Sequence, residues 1–319
     1  MTLAIPHNVV LALAGVYGLL VAATLIVAWM ERGRGRDAKG PSELSLRIRS
    51  WWWMVAAFTL AVAFNETAAI VFLGFISYLA LKEYFSLIPT RRIDRSVILC
   101  AYLAVPAQFY WIADGWYGMF IVFIPIWVFL FFPMLMALRG ETAGHLAAVG
   151  TLSWGLMMTV FALSHLGILL TTGGPVNPVA GGAGLLFFVV FLTQFNDVAQ
   201  FTWGKLLSRA TGGHRITPTV SPNKTWEGFL GGLATAAALG AALSPWLTPM
   251  TPAWGALAGA IIAIAGFVGD VTMSAMKRDL GVKDTGQLIP GHGGILDRVD
   301  SLTYTAPVFF HFFRYVFYP

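Results

Sequence analysis

Charge is scarce in this chain. Only 11% of its 319 residues are Asp, Glu, Lys or Arg, and no segment has the polar, mixed composition of a separate soluble domain. Cysteine is almost absent: the single Cys100 excludes an intramolecular disulfide, and its place inside an apolar run predicts buried packing rather than reactivity. No internal repeat is visible, which counts against a transporter built from inverted halves. Apolar residues, by contrast, make up 57% of the chain and mean hydropathy is +0.73, so the solvent for most of it is lipid. The net charge of +5 does not point to nucleic acid, because the basic residues are parcelled out between apolar runs.

The run from Asn8 to Met30 is long enough to cross a bilayer. No basic residue precedes it and the basic segment Glu31–Arg36 follows, the reverse of a secretory signal, so a retained anchor with its N-terminus outside is expected. After a charged connector at 31–50, apolar runs follow at 51–64, 67–86, 96–113, 116–138, 147–170, 183–201, 227–247, 253–276 and 302–318. The prediction is an all-α, polytopic integral membrane helical bundle of about ten transmembrane helices. It divides into an anchor with its connector (1–50) and a membrane-embedded domain (51–319) whose chemistry lies in 194–301. The 51–64 run is short, roughly 21 Å of helix against a core of about 30 Å, and fusion with 67–86 across Asn65 and Glu66 is the alternative. Charge placement decides for two spans. Ten spans put nineteen of the 20 Lys and Arg on the cytoplasmic side, whereas fusion would place Lys82, Arg91, Arg92 and Arg95 outside. Trp51–Trp53, Trp111, Trp116 and Trp203 read as interfacial anchors, and His165 as a satisfied interhelical hydrogen bonder.

The ionisable residues that remain are concentrated near the C-terminus. Asp270, Ser274 and Lys277 recur at helical spacing, and Asp297 and Asp300 stand three apart. Between them runs a glycine-rich loop with Arg278, Lys283, Asp284, Pro290 and His292-Gly293-Gly294, followed by Arg298. Two helix ends bearing carboxylates, joined by a basic loop, suit a cation-bridged polyphosphate. Two other clusters accompany them: Asn196-Asp197, and Ser221-Pro222-Asn223-Lys224-Thr225-Trp226-Glu227-Gly228. The second offers hydroxyls and an ammonium ahead of a helix N-terminus, an anion site, or else an ordinary cap in which Thr225 caps and Glu227 complements the dipole. Asp197 and Asp270 fall within predicted spans, where a charge is expensive and functional by default; a buried pair with Lys205 or Lys277 is the plainer explanation.

The string Ser274-x-x-Lys277-Arg278-x4-Lys283-Asp284-x-Gly286-x2-Ile289-Pro290-x-His292-Gly293-Gly294-Ile295-x-Asp297-Arg298-Val299-Asp300 resembles the signature of the phosphatidate cytidylyltransferases (CDP-diacylglycerol synthases), and Ser221–Gly228 resembles that family's second motif. The resemblance covers about 45–319. After Asn196-Asp197 the family has an Ala-Tyr pair where this chain has Ala199-Gln200-Phe201, and the first span is an addition, as in a paralogous branch. The resemblance implies that a phosphatidate phosphate oxygen attacks the α-phosphorus of CTP, giving CDP-diacylglycerol and pyrophosphate for phospholipid synthesis. It implies Mg²⁺, with a second cation nearby, on Asp270, Asp297 and Asp300. Lys277, Arg278, Lys283 and Arg298 then neutralise polyphosphate, Gly293 and Gly294 let it approach, and His292 either protonates or binds the leaving pyrophosphate or serves only the turn. Ser221, Lys224 and Thr225 are candidates for a substrate phosphate, and Asp197, Ser274 and Asp284 complete the site. CTP, phosphatidate and the bilayer are the expected partners, with a homodimer compatible, and the expected location is the bacterial inner membrane with the site facing the cytoplasm. The alternatives are a CTP-dependent lipid kinase, a cytidylyltransferase for another lipid phosphate, or a secondary transporter for an anion.

Overall fold

The structure, a computed structural model, describes residues 5–32 and 42–318; the rest of the basic connector, 33–41, lies outside the described residues. The helices are α1 (His7–Arg32), α2 (Glu43–Phe64), α3 (Glu66–Leu87), α4 (Arg95–Ala113), α5 (Tyr117–Val122), α6 (Phe129–Ala137), α7 (His145–Leu156), α8 (Leu163–Val176), α9 (Gly181–Thr211), α10 (Trp226–Leu247), α11 (Pro252–Asp279), α12 (Leu296–Val299) and α13 (Leu302–Phe317). Wide π turns at Phe123–Val128 and Met157–Ala162 join α5 to α6 and α7 to α8. Among the described residues, eight helical rods are long and apolar enough to cross a membrane. The other two predicted spans form helices, α2 and α13, that fall outside these eight: the first carries Glu43, Arg47 and Arg49 near its start, and the second has only 16 residues.

The protein is thus an all-α polytopic membrane protein, with local corrections. Helix α2 begins well before the apolar run, at Glu43, because Ser42 caps it by accepting from the Ser45 N–H at 3.1 Å. Its 22 residues give about 33 Å, the first turns being charged with Glu43, Arg47 and Arg49. Fusion with α3 is blocked at Asn65, whose extended backbone breaks the helix while its side chain caps α3 through the Ala68 N–H at 2.7 Å. Residues 212–225, expected as loop, hold a short antiparallel hairpin, β1 (Arg215–Thr217) and β2 (Ser221–Thr225). Cys100 is exposed on α4, not buried: in a membrane helix an apolar run satisfies lipid as well as core, so hydropathy alone does not tell the faces apart. His165 is fully buried, yet its Nδ1 bonds Phe161 O at 2.9 Å within its own helix and its Nε2 has no partner among the described residues; its neighbours are the rings of Phe120, Phe161, Phe310 and His311.

The site is positioned by close packing of α9, α10 and α11. A Cβ on Gly259 would lie 2.1 Å from Ala236 O, and one on Gly240 2.2 Å from Gly255 O, so α10 and α11 approach backbone to backbone. A Cβ on Gly228 would meet Gln200 O at 2.6 Å, which seats α10 equally tightly on α9. These contacts bring α9, the foot of β2 and the C-terminal half of α11 to one end of the bundle.

Candidate active site

A polar cavity of about 220 Å³ opens at that end, lined by Gln194 and Asp197 of α9, Asp270 and Lys277 of α11, and Asp284, Asp297, Arg298 and Asp300 of the α11–α13 segment. Seven of the sequence candidates therefore share one wall. Asp197 accepts from Ser301 Oγ at 3.0 Å. Asp270 accepts from Ser274 Oγ at 3.2 Å, one helical turn on, and forms an ion pair with Lys224 Nζ at 2.5 Å. Lys224 also reaches Gln200 Oε1 at 3.2 Å and lies over the Phe267 ring. Burial pushes the Lys224 ammonium down, but the carboxylates of Asp270 and Asp197 outweigh it and hold it above its ordinary value.

Asp297 is differently employed. Its Oδ1 takes Lys277 Nζ at 2.8 Å; its Oδ2 takes the Thr285 N–H at 2.8 Å, Thr285 Oγ1 at 2.9 Å and the Gly294 N–H at 3.0 Å. Burial alone would raise its carboxyl, yet Lys277 and these N–H groups hold it below the usual carboxylate range. Lys277 is therefore the partner of Asp297, and the buried pair foreseen for Asp270 is made by Lys224 instead; Lys205 is exposed, near the Phe201 ring. Asp300 accepts from the Ser301 N–H at 2.8 Å and is pushed well above the carboxylate range, first by burial and then by Asp270 and Asp197. Three acids in one small space favour uptake of a cation or a proton.

Other candidates stand back from the cavity. Thr225 is occupied as the cap of α10, accepting from the Gly228 N–H at 3.2 Å, and Glu227 holds His214 and Thr211. Ser221 sits on β2 in register with Thr217. Arg278 steadies the hairpin by donating to Val220 O at 3.3 Å, and Lys283 is exposed. The space beside Gly293 and Gly294 is filled: a Cβ would meet Asp297 Oδ2 at 2.6 Å and Glu83 Oε2 at 2.3 Å, respectively. Their lack of side chains serves the packing of these carboxylates, and Gly293 adds a φ of +84°. His292 lies outside the cavity, edge-on to Trp51, and burial followed by Arg298 and Arg47 pushes its ring down to about 4, so it is neutral at neutral pH.

One carboxylate that sequence reasoning missed is central. Glu83 of α3 accepts the N–H groups of Ile295 at 2.9 Å and Leu296 at 2.8 Å, holding the first turn of α12, and Thr285 Oγ1 at 3.3 Å. It lay in an apolar run, the same signal that singled out Asp197 and Asp270.

Whether the donors suit a cation can be judged from their arrangement. Among the described residues, no three His, Cys, Asp or Glu side chains form a ready-made cage. Asp197, Asp270 and Asp300 instead share a cavity wall. That fits a hydrated cation arriving with polyphosphate: Mg²⁺ keeps waters and phosphate oxygens and asks for only one or two carboxylates. Asp270 and Asp297, each ion-paired to a lysine, offer an oxygen to such a set only if Lys224 and Lys277 shift toward the phosphate.

Arg298 also borders a second, larger cavity of about 580 Å³, almost wholly apolar, between α1, α2, α3 and α9; Gln194 and Arg298 line both. The Arg298 Nε is buried without a partner among the described residues.

Known proteins share this arrangement of sequence. The chain is 43% identical over 307 residues to the uncharacterized protein YnbB of Escherichia coli (strain K12), which covers 96% of this chain and 99% of that protein. It is 39% identical over 127 residues to a phosphatidate cytidylyltransferase of Mycobacterium leprae (strain TN), 40% of this chain and 39% of that one. Over 119 residues it is 48% identical to a phosphatidate cytidylyltransferase of Synechocystis sp. (strain ATCC 27184 / PCC 6803 / Kazusa), 36% of this chain and 38% of that one. The chain thus spans about two-fifths of the length of these two enzymes. The Cytidylyltransferase family matches residues 45–316, from α2 to α13 and across every cavity residue named above; the chain belongs to the cytidylyltransferase family.

Proposed function

We propose that this protein transfers the cytidylyl group of CTP to phosphatidate, giving CDP-diacylglycerol and pyrophosphate, in the bacterial inner membrane with its site on the cytoplasmic face. The observation that carries this reading is the junction of the two cavities. An apolar chamber of about 580 Å³ suits acyl chains, and the carboxylate cavity of about 220 Å³ suits a cation-bound triphosphate. Arg298 stands between them, its Nε without a partner among the described residues, where a lipid phosphate would meet the α-phosphorus.

In the reaction a phosphate oxygen of the lipid forms a bond to the α-phosphorus, and the bond from that phosphorus to the bridging β-phosphate oxygen breaks. Pyrophosphate leaves with that electron pair. With the lipid phosphate as dianion, no proton transfer is required at the attacking atom, so catalysis rests on alignment and charge neutralisation. Arg298 orients the lipid phosphate through its planar fork. Lys224 and Lys277, fixed by Asp270 and Asp297, set positive charge against the triphosphate. The apolar walls exclude water that would otherwise hydrolyse CTP. Mg²⁺ on Asp270 and Asp300, beside Asp197, would supply the remaining neutralisation of the triphosphate.

The test is purified protein with labelled CTP, Mg²⁺ and vesicles of defined lipid phosphates, reading both products. CDP-diacylglycerol with equimolar pyrophosphate is expected from phosphatidate. Release of CDP with a phosphorylated lipid would make the protein a kinase, and no CTP-dependent product from any lipid phosphate would overturn the reading.

A further inference from the structure

Helix α1 precedes the 45–316 family match, yet it borders the apolar chamber through Leu13 and Val16. Its register against α2 is fixed by two side-chain bonds: Tyr17 Oη donates to Thr59 Oγ1 at 3.1 Å, and Trp52 Nε1 donates to Thr24 Oγ1 at 3.1 Å. In this antiparallel pairing residue 17 is level with 59 and residue 24 with 52, so Val16 and Leu13 fall level with Leu60 and Ala63. Among the chamber's α2 residues, the run ends at Phe58. Leu13 and Val16 therefore lie beyond it, at the end of the chamber away from Arg298. From Ser50 to Phe58 the α2 wall rises about 12 Å, close to the thickness of one leaflet, half of a hydrocarbon core of about 30 Å. A lipid whose phosphate sits at Arg298 would bring its chain ends to this floor. Elsewhere α1 turns Leu11, Leu19 and Leu25 outward, so Leu13, only 5% exposed, belongs to a distinct inward face.

We infer that α1 is a specificity element for the acyl chains of the lipid acceptor: Leu13 and Val16 form a floor that contacts the chain ends and sets the length accepted. This rests on the lipid-phosphate reading of the site. Each methylene denied burial weakens binding about fourfold, so raising the floor discriminates steeply by length.

Two measurements test it, both on the full chain in nanodiscs. In the first, wild-type protein is photolysed with phosphatidate carrying a diazirine at the chain terminus or near the ester, and labelled peptides are mapped. Terminal label on α1 around Leu13–Val16, with ester-proximal label near Arg298, is expected. Terminal label found elsewhere, or no specific label, overturns the floor whether or not the protein turns over CTP. In the second, Leu13→Trp and Val16→Trp should lower the ratio of dioleoyl to dioctanoyl phosphatidate turnover by on the order of tenfold or more, and Leu13→Ala should raise it. An unchanged ratio overturns the inference while leaving cytidylyl transfer standing. Terminal label on α1 in a protein that makes no CTP-dependent product would keep the floor and remove the reaction.

Discussion

At Asp297 four donors converge on two carboxylate oxygens, while at Asp270 the principal partner is one lysine. The two acids should therefore fail differently. Replacing Lys277 alone by Met leaves the Asp297 charge buried and unpaired, a loss of about 3–5 kcal/mol, and the Lys277→Met/Asp297→Asn double variant should be markedly milder in thermal unfolding. Activity should be lost in all of them, since Lys277 also lines the carboxylate cavity. A double variant no more stable than the single would show that the pair is not the main partner of either residue. Asp270→Asn and Asp300→Asn, by contrast, should leave folding intact and nearly abolish transfer, with the Mg²⁺ requirement of any residual activity shifted upward. Near-normal activity at low Mg²⁺ in either variant would remove that residue from the cation site. The acids themselves were legible, because a charge inside an apolar run stands out and helical spacing groups Asp270 with Ser274. Which lysine answers which acid was not. Lys224 arrives from a hairpin and Lys277 turns toward a different loop, and neither direction is encoded in local spacing.

Between elements, the least legible feature is the bond of α3 to α12. Glu83 and Ile295 stand 212 positions apart, and Glu83 sits in a stretch with no other chemistry to draw the eye. A short helix such as α12 cannot hold itself, and its free N–H groups attract an anion; Glu83 supplies one from a rigid span. Gly286 and Gly294 are small where the Glu83 carboxylate approaches, so glycines that read as a phosphate loop in the sequence are accounted for by packing. Glu83→Gln replaces one carboxylate oxygen by an NH2 group, which donates and cannot accept, so one N–H of the turn loses its partner. The expected cost is about 1–3 kcal/mol in stability. A fall in kcat of at least tenfold with the KM for CTP little changed should accompany it, because Asp297, Arg298 and Asp300 ride on that turn. Glu83→Asp should recover part of kcat. A Gln variant with normal kcat would confine Glu83 to a structural role. The close α9–α10–α11 packing was hidden for a related reason: small residues read as neutral in hydropathy, although they decide how near two backbones come.

For the whole molecule, opposite ends of the bundle are tied by separate sets of contacts. At one end Ser50 Oγ donates to Pro290 O at 2.7 Å and Arg47 Nε to Gly291 O at 3.2 Å, joining the start of α2 to the site loop. At the other, Asn8 Nδ2 donates to Trp246 O at 3.0 Å, Asn177 Nδ2 to Leu247 O at 2.8 Å and Tyr318 Oη to Thr172 Oγ1 at 2.8 Å. The proposed orientation, with the basic loops at the site end, follows from the positive-inside rule and places that end toward the cytoplasm as a prediction. The prediction is that Gln287→Cys, in the site loop, and Val179→Cys, at the far end, react from opposite sides of the membrane. Cys100 must be replaced by Ser beforehand, since its exposure on α4 offers a competing thiol. In sealed cells a membrane-impermeant maleimide should label position 179 and spare 287, and in inverted vesicles the pattern should reverse. Both positions are exposed in the fold, so silence on either face reads as sidedness and not as burial. Labelling of 287 from outside intact cells would invert the molecule and place its carboxylate cavity away from the CTP pool. The cytoplasmic reading of the site would then fall, although every contact within the bundle would stand.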